Sequence, residues 1–139
     1  MADVSVTAAS VLASANATVY HQYNYGATVT AGQVVYLDSN NKWQLKDSNA
    51  AVTGNNVADI TGVCLVGGAN NQPGIVCVRD SDFTPGATLT NGIIYCASPN
   101  AGAIAPSADM ASGNYPTVLG PAKSTTKMNL NPAAAGVAV

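Results

Sequence analysis

The chain has 139 residues, 47% of them hydrophobic and only 9% charged, with a formal net charge of −2. That length fits a single domain that can fold without disulfides or a metal, and the apolar share excludes a disordered chain, which pairs low hydrophobicity with high charge. The five basic residues (Lys42, Lys46, Arg79, Lys123 and Lys127) are too scattered to track phosphates, and no apolar run is long enough for a helix across a bilayer, so neither nucleic acid nor membrane is expected as a partner.

Residues 2–19 are small, apolar and hydroxylated, and Asp3 is their one charge. Val4 and Val6 alternate like a strand before alanines and serines loosen the pattern, which suggests an arm or edge segment; the alternative is a plain unordered terminus. Tyr20, Tyr23 and Tyr25 follow, flanking His21. They read either as half-buried strand residues or as an interface, because tyrosine combines an apolar ring with a hydroxyl that can find a partner. Val34 to Leu37 is predicted as a strand, residues 38–41 as a turn, and Lys42 to Leu45 as the hairpin partner. Residues 46–59 read as a loop or short helix. Residues 60–66 form an apolar run and residues 67–74 a turn. Residues 75–78 and 93–96 are strong strands. Residues 115–119 form another, placed at an edge by Pro116. Met128-Asn129-Leu130 alternates. Short strands with turn signals about every 8–15 residues, and no long helical period, predict an all-β barrel or compact sandwich.

The chain echoes itself. Gly26-Ala27-Thr28-Val29-Thr30-Ala31-Gly32 matches Gly86-Ala87-Thr88-Leu89-Thr90-Asn91-Gly92 sixty positions on, and each copy runs into a β-branched pair and a tyrosine, Tyr36 or Tyr95. Ile60-Thr61-Gly62 resembles Val118-Leu119-Gly120 at an offset of 58. These matches predict two similar β units. Val29 and Leu89 should enter the core, a glycine should supply positive φ at each turn, and the two tyrosines should occupy equivalent places. Two such units should close on one core.

Little in the sequence points to reaction chemistry. His21 stands alone, and Cys64, Cys77 and Cys96 lie within apolar stretches at spacings that fit no metal site. They read as buried, reduced thiols. Asp80 and Asp82 read as a solvated turn leaving a strand. No nucleophile–base pair is recognisable, so an enzyme is not expected, and no cofactor or metal is expected. The start Met1-Ala2-Asp3 lacks a basic leader, which suggests synthesis and use in a cytoplasm.

The series Gly32-Gln33-Val34-Val35-Tyr36-Leu37-Asp38, Trp43-Gln44-Leu45 and Ile60-Thr61-Gly62-Val63 resembles the small capsid decoration (cement) proteins of tailed bacteriophages. So do Gly86 to Leu89, Tyr95, Gly102 to Pro106, Tyr115 to Gly120 and Leu130-Asn131-Pro132. The likeness spans about residues 26–132. It implies a compact β-tulip or β-clip fold: a flexible N-terminal arm over residues 1–19, and one β domain over 20–139 with a pseudo-repeat of about 26–78 and 86–132. It further implies a structural virion protein made in the host cytoplasm and placed on the capsid exterior. There it would act as a homotrimer that binds the expanded capsid and bridges major capsid protein subunits. The arm positions carried over as capsid contacts are Ala2, Asp3, Val4, Ser5, Val6, Thr7 and Val11, with Tyr20, Tyr23 and Tyr25 as oligomer-interface candidates. The alternative reading is a fibre or tail-tip module in which these tyrosines and Trp43 stack on sugars.

Overall fold

The computed structural model describes residues 3–49 and 60–134. Residue Ala2, most of the expected loop at 46–59, and residues 135–139 lie outside them. The strands are β1 (Thr18–Tyr20), β2 (Asn24–Tyr25), β3 (Val34–Leu37), β4 (Lys42–Leu45), β5 (Thr61–Val66), β6 (Ile75–Phe83), β7 (Ile94–Ala97), β8 (Ile104–Pro106), β9 (Thr117–Pro121), β10 (Met128–Leu130) and β11 (Ala133–Ala134). The only helical turns among the described residues are two short 3-10 turns, Ala8–Ser10 and Ser107–Asp109.

The fold is all-β, but it is not a closed barrel. A seven-stranded sheet runs in the order β1-β6-β5-β3-β4-β2, with β10 also pairing β6, and a four-stranded sheet runs β11-β9-β7-β8. The reason is visible in the inner strands of the larger sheet. Val34, Val63 and Cys77 point into one core with Phe83, Leu89, Tyr95, Ile104, Leu119, Met128 and Leu130. Their chain neighbours Val35, Cys64 and Val76 point the other way, into a second core with Tyr25, Val29, Leu37 and Trp43. Successive side chains alternate between faces. A strand buried on both faces therefore reads as an unbroken apolar run, as in Val34-Val35 or Ile75-Val76-Cys77-Val78. A sheet covered on both faces has no single interior to close around.

The sequence repeat has a structural counterpart. β3 pairs with β4 on one side and β5 on the other, and β7 does the same with β8 and β9. The matching hydrogen bonds recur at the offsets of the sequence echo. Gly32 N–H donates to Cys64 O (2.8 Å) and Cys64 N–H to Gln33 O (2.9 Å); Gly92 N–H donates to Ala122 O (3.0 Å) and Ala122 N–H to Ile93 O (2.9 Å). Gly32 and Gly92 both have the positive φ, 91° and 84°, that their turns require. Val29 and Leu89 are both buried.

The tyrosines are a correction. Gly62 pairs with Val35 and Gly120 with Tyr95, so Tyr95 is the counterpart of Val35 and not of Tyr36. Shifting a strand alignment by one residue exchanges its faces. Tyr95 is accordingly buried, while Tyr36 is half-buried beneath the Lys46 ammonium, 5.4 Å from its ring centre.

Other expectations shift by a few residues. β9 begins at Thr117 because Pro116 offers no N–H to a ladder, and it lies between β11 and β7, not at the edge that Pro116 suggested. β6 runs on through Arg79, Asp80, Ser81 and Asp82 to Phe83, so Asp80 lies in a strand and is buried, not in a solvated turn.

Candidate functional site

The N-terminal segment, read from its residues as an arm or edge segment and from the resemblance as flexible, lies along the body. Its small side chains are placed to fit. Val4, Val11, Ala13 and Ala17 pack on the first core. Val6 abuts Gly32 so closely that a Cβ there would collide with it, and Val11 sits against both Gly32 and Gly86. Val11 therefore touches turn glycines of both repeat units.

Main-chain bonds hold the segment at intervals. Val4 N–H donates to Ile104 O on β8 (2.9 Å), Thr7 N–H to Gly86 O (2.8 Å), and Leu12 exchanges both bonds with Thr84 (2.9 and 3.0 Å). Ser5 and Thr7 point to solvent, and Leu12 is 63% exposed.

Two carboxylates fasten the ends of this segment. Asp3 accepts from Ser98 Oγ (2.6 Å) and Asn100 Nδ2 (2.8 Å) in the β7–β8 turn. Asp80, buried in β6, accepts from Ser14 N–H (2.6 Å), from the Ser14 hydroxyl, and from Asp82 N–H (3.0 Å). Burial works to raise the Asp80 carboxyl. The Ser14 and Asp82 bonds, with the nearby Lys127 charge, outweigh burial and hold it below the usual carboxylate range.

A depressed folded value stabilises the fold above the unfolded carboxylate value, about 3.9. That stability is lost as pH falls through the lower folded value. Acid titration followed by circular dichroism is thus expected to show stability falling below about pH 4. Asp80→Asn should remove part of that dependence. Asp38, held low by Gln44 and by N–H groups in its own turn despite burial, contributes with the same sign and should keep the remainder. An acid profile unchanged by Asp80→Asn would mean that the latch carries no stability.

The tyrosines divide. Tyr25 is 0% exposed, which removes it from any interface. Its hydroxyl lies 3.0 Å from Cys64 Sγ, donates to Val66 O and accepts from Ile75 N–H (3.1 Å). Burial pushes that phenol far above its usual value. Tyr20 and Tyr23 are half-buried and meet Trp43 edge-on at 6.1 and 6.4 Å between ring centres. Trp43 itself is 0% exposed, so it has no face to offer a sugar.

The three cysteines are free and buried. Burial raises all three thiols, and the Asp80 charge adds to it at Cys77, which is pushed up to about 12. They are therefore protonated at neutral pH and are poor nucleophiles. Among the described residues no group of three His, Cys, Asp or Glu side chains is placed to hold a metal ion, and no helix is long and apolar enough to cross a membrane.

The sequence could not have found Ser14 with Asp80 or Asp3 with Ser98. These partners are 66 and 95 positions apart, and no local pattern marks them. No protein-family model matches the chain, and no curated protein matches its sequence.

Proposed function

We propose that the chain is a structural virion protein that binds the outer surface of the expanded phage capsid and bridges major capsid protein subunits, stabilising the head without catalysis. The observation that supports the reading best is the N-terminal segment, attached to the β8 edge through Val4 and to the body by spaced main-chain bonds. Main-chain pairing along a strand edge is a general mode of protein recognition. It depends little on side chains and so suits a segment of alanine, serine and valine. The low charge adds support, because a surface with few charges loses little hydration when covered. Many copies on one lattice would multiply modest contacts into firm attachment.

The glycan-binding alternative loses its strongest residue, since Trp43 is buried. Tyr20 and Tyr23 are left, both already packed against it.

Co-sedimentation with heads of the chain's own phage tests the proposal. Purified protein should pellet with expanded heads and stay in solution with unexpanded shells. A variant lacking residues 3–13 should bind more weakly, and heads without the protein should break at a lower temperature. Equal recovery with and without heads, together with equally robust undecorated heads, would refute it.

A further inference from the structure

The longest strand changes partners along its length, and a cavity lies at the change. β1 and β5 pair the first half of β6, with Thr18 opposite Arg79 and Val63 opposite Cys77. β10 pairs the second half, from Leu130 opposite Asp80 to Met128 opposite Phe83. Between Thr18 and Val19 the ladder skips Val78, and such a bulge bends its strand and re-aims the side chains beside it. Here Thr18, Tyr20, Thr61, Arg79, Asn131 and Pro132 line a cavity of about 310 Å³, within the size range of small-molecule sites.

The polar groups on its walls are unengaged. The side chains of Thr18, Tyr20, Thr61, Arg79 and Asn131 make no hydrogen bond or ion pair among the described residues. Thr61 is only 7% exposed. A hydroxyl so enclosed ordinarily has a partner, and the cavity it lines offers the space for one.

Arg79 also differs from the other basic residues. Lys42 bonds Asn71, Lys123 pairs with Asp82, Lys127 bonds Thr84, and Lys46 is buried over the Tyr36 ring. Arg79 is exposed, and its chain neighbours Asp80 and Asp82 are engaged elsewhere, with Ser14 and Lys123. It therefore offers an unpaired guanidinium beside a cavity whose other walls are neutral.

A guanidinium fork matches a carboxylate through two parallel N–H donors. An exposed ion pair alone contributes little, so the neutral groups decide what else the ligand carries. Hydroxyls, a phenol and an amide can each donate and accept, as sugar hydroxyls require. The Tyr20 and Pro132 rings add apolar surface for the body of a sugar ring. Phosphate fits less well, because a single cation and no helix N-terminus faces the space.

We propose that this cavity binds an acidic sugar, of the uronic or sialic acid class. Arg79 holds the carboxylate, and Thr18, Thr61 and Asn131 hydrogen-bond the hydroxyls. The site makes no use of the buried Trp43 and does not depend on the capsid role.

Nuclear magnetic resonance titration of the isotope-labelled full chain with D-glucuronate and N-acetylneuraminate tests it. At least one of the two should give saturable shifts at the amides of Thr61, Arg79 and Asn131. D-glucose and acetate each carry half of the recognised chemistry and should bind at least about tenfold more weakly. Arg79→Lys keeps the charge but loses the fork and should weaken binding about tenfold. Arg79→Gln should abolish it with the circular dichroism spectrum unchanged. Should Arg79→Gln misfold, Asn131→Asp decides, because a carboxylate on the wall competes for Arg79 and repels the ligand. No saturable shift with either acid overturns the proposal. So does acetate or inorganic phosphate binding as tightly as the acid sugar, or an affinity untouched by these substitutions.

Discussion

Gly120→Ala is expected to cost about 3 kcal/mol of stability, combining backbone strain with overpacking. Gly120 lies in β9 at φ 142°, a conformation that side chains disfavour. A Cβ there would also run into the Asn129 carbonyl, with the carbonyl carbon at 3.0 Å. Asn129 belongs to β10, whose Met128 and Leu130 are both fully buried and whose ladder binds β6. The strand cannot retreat without opening the first core. The melting temperature should drop by roughly 10 °C for a domain of this size. Gly92→Ala is the control. It has a positive φ of 84°, but nothing lies within 4 Å of the place its Cβ would take, so only the conformational cost of about 1–2 kcal/mol applies. Equal losses in the two variants, measured by urea unfolding, would show that the β9–β10 contact is looser than described.

Trp43→Ala should destabilise by about 3–5 kcal/mol, the usual range for removing a large aromatic from a core. Trp43 is the only tryptophan and the largest buried side chain. It is gripped by β2 and β3 through its backbone, by Tyr20 and Tyr23 at its edges, and by Gly74, where a Cβ would come within 2.7 Å of the indole. Those walls belong to different strands and cannot all move in to fill the space. Trp43→Phe should cost less. The indole N–H has no hydrogen-bond partner among the described residues, so this change removes volume without breaking a bond. If Trp43→Ala and Trp43→Phe unfold at the same urea concentration, the ring is not the packing centre of the second core.

What the sequence disclosed was local. Turn glycines at 32 and 92, the Asp38–Asn41 hairpin and the doubled unit follow from residues that set their own backbone conformation. What it hid depended on distant partners. Tyr25 looked like its neighbours Tyr20 and Tyr23, yet the Gln72 and Ile75 backbone hold it wholly inward. Asp80 beside Arg79 and Asp82 looked solvated, and its buried carboxylate is satisfied by Ser14, 66 positions away, together with the Asp82 N–H. The arm looked loose because small residues carry a weak pattern, although those residues are the ones that fit against Gly32 and Gly86. The choice between barrel and sandwich stayed open in the sequence for a related reason. Runs such as Val34-Val35 show that a strand is apolar on both sides, but not that each side faces a separate core.

A reconstruction of the mature head carrying this chain, set against one from particles that lack it, bears most directly on the proposed role. Difference density of the size and two-sheet shape of this body, seated outside the shell and touching more than one capsid subunit, is the expected outcome. Density confined to the tail, or no difference between the two heads, contradicts it.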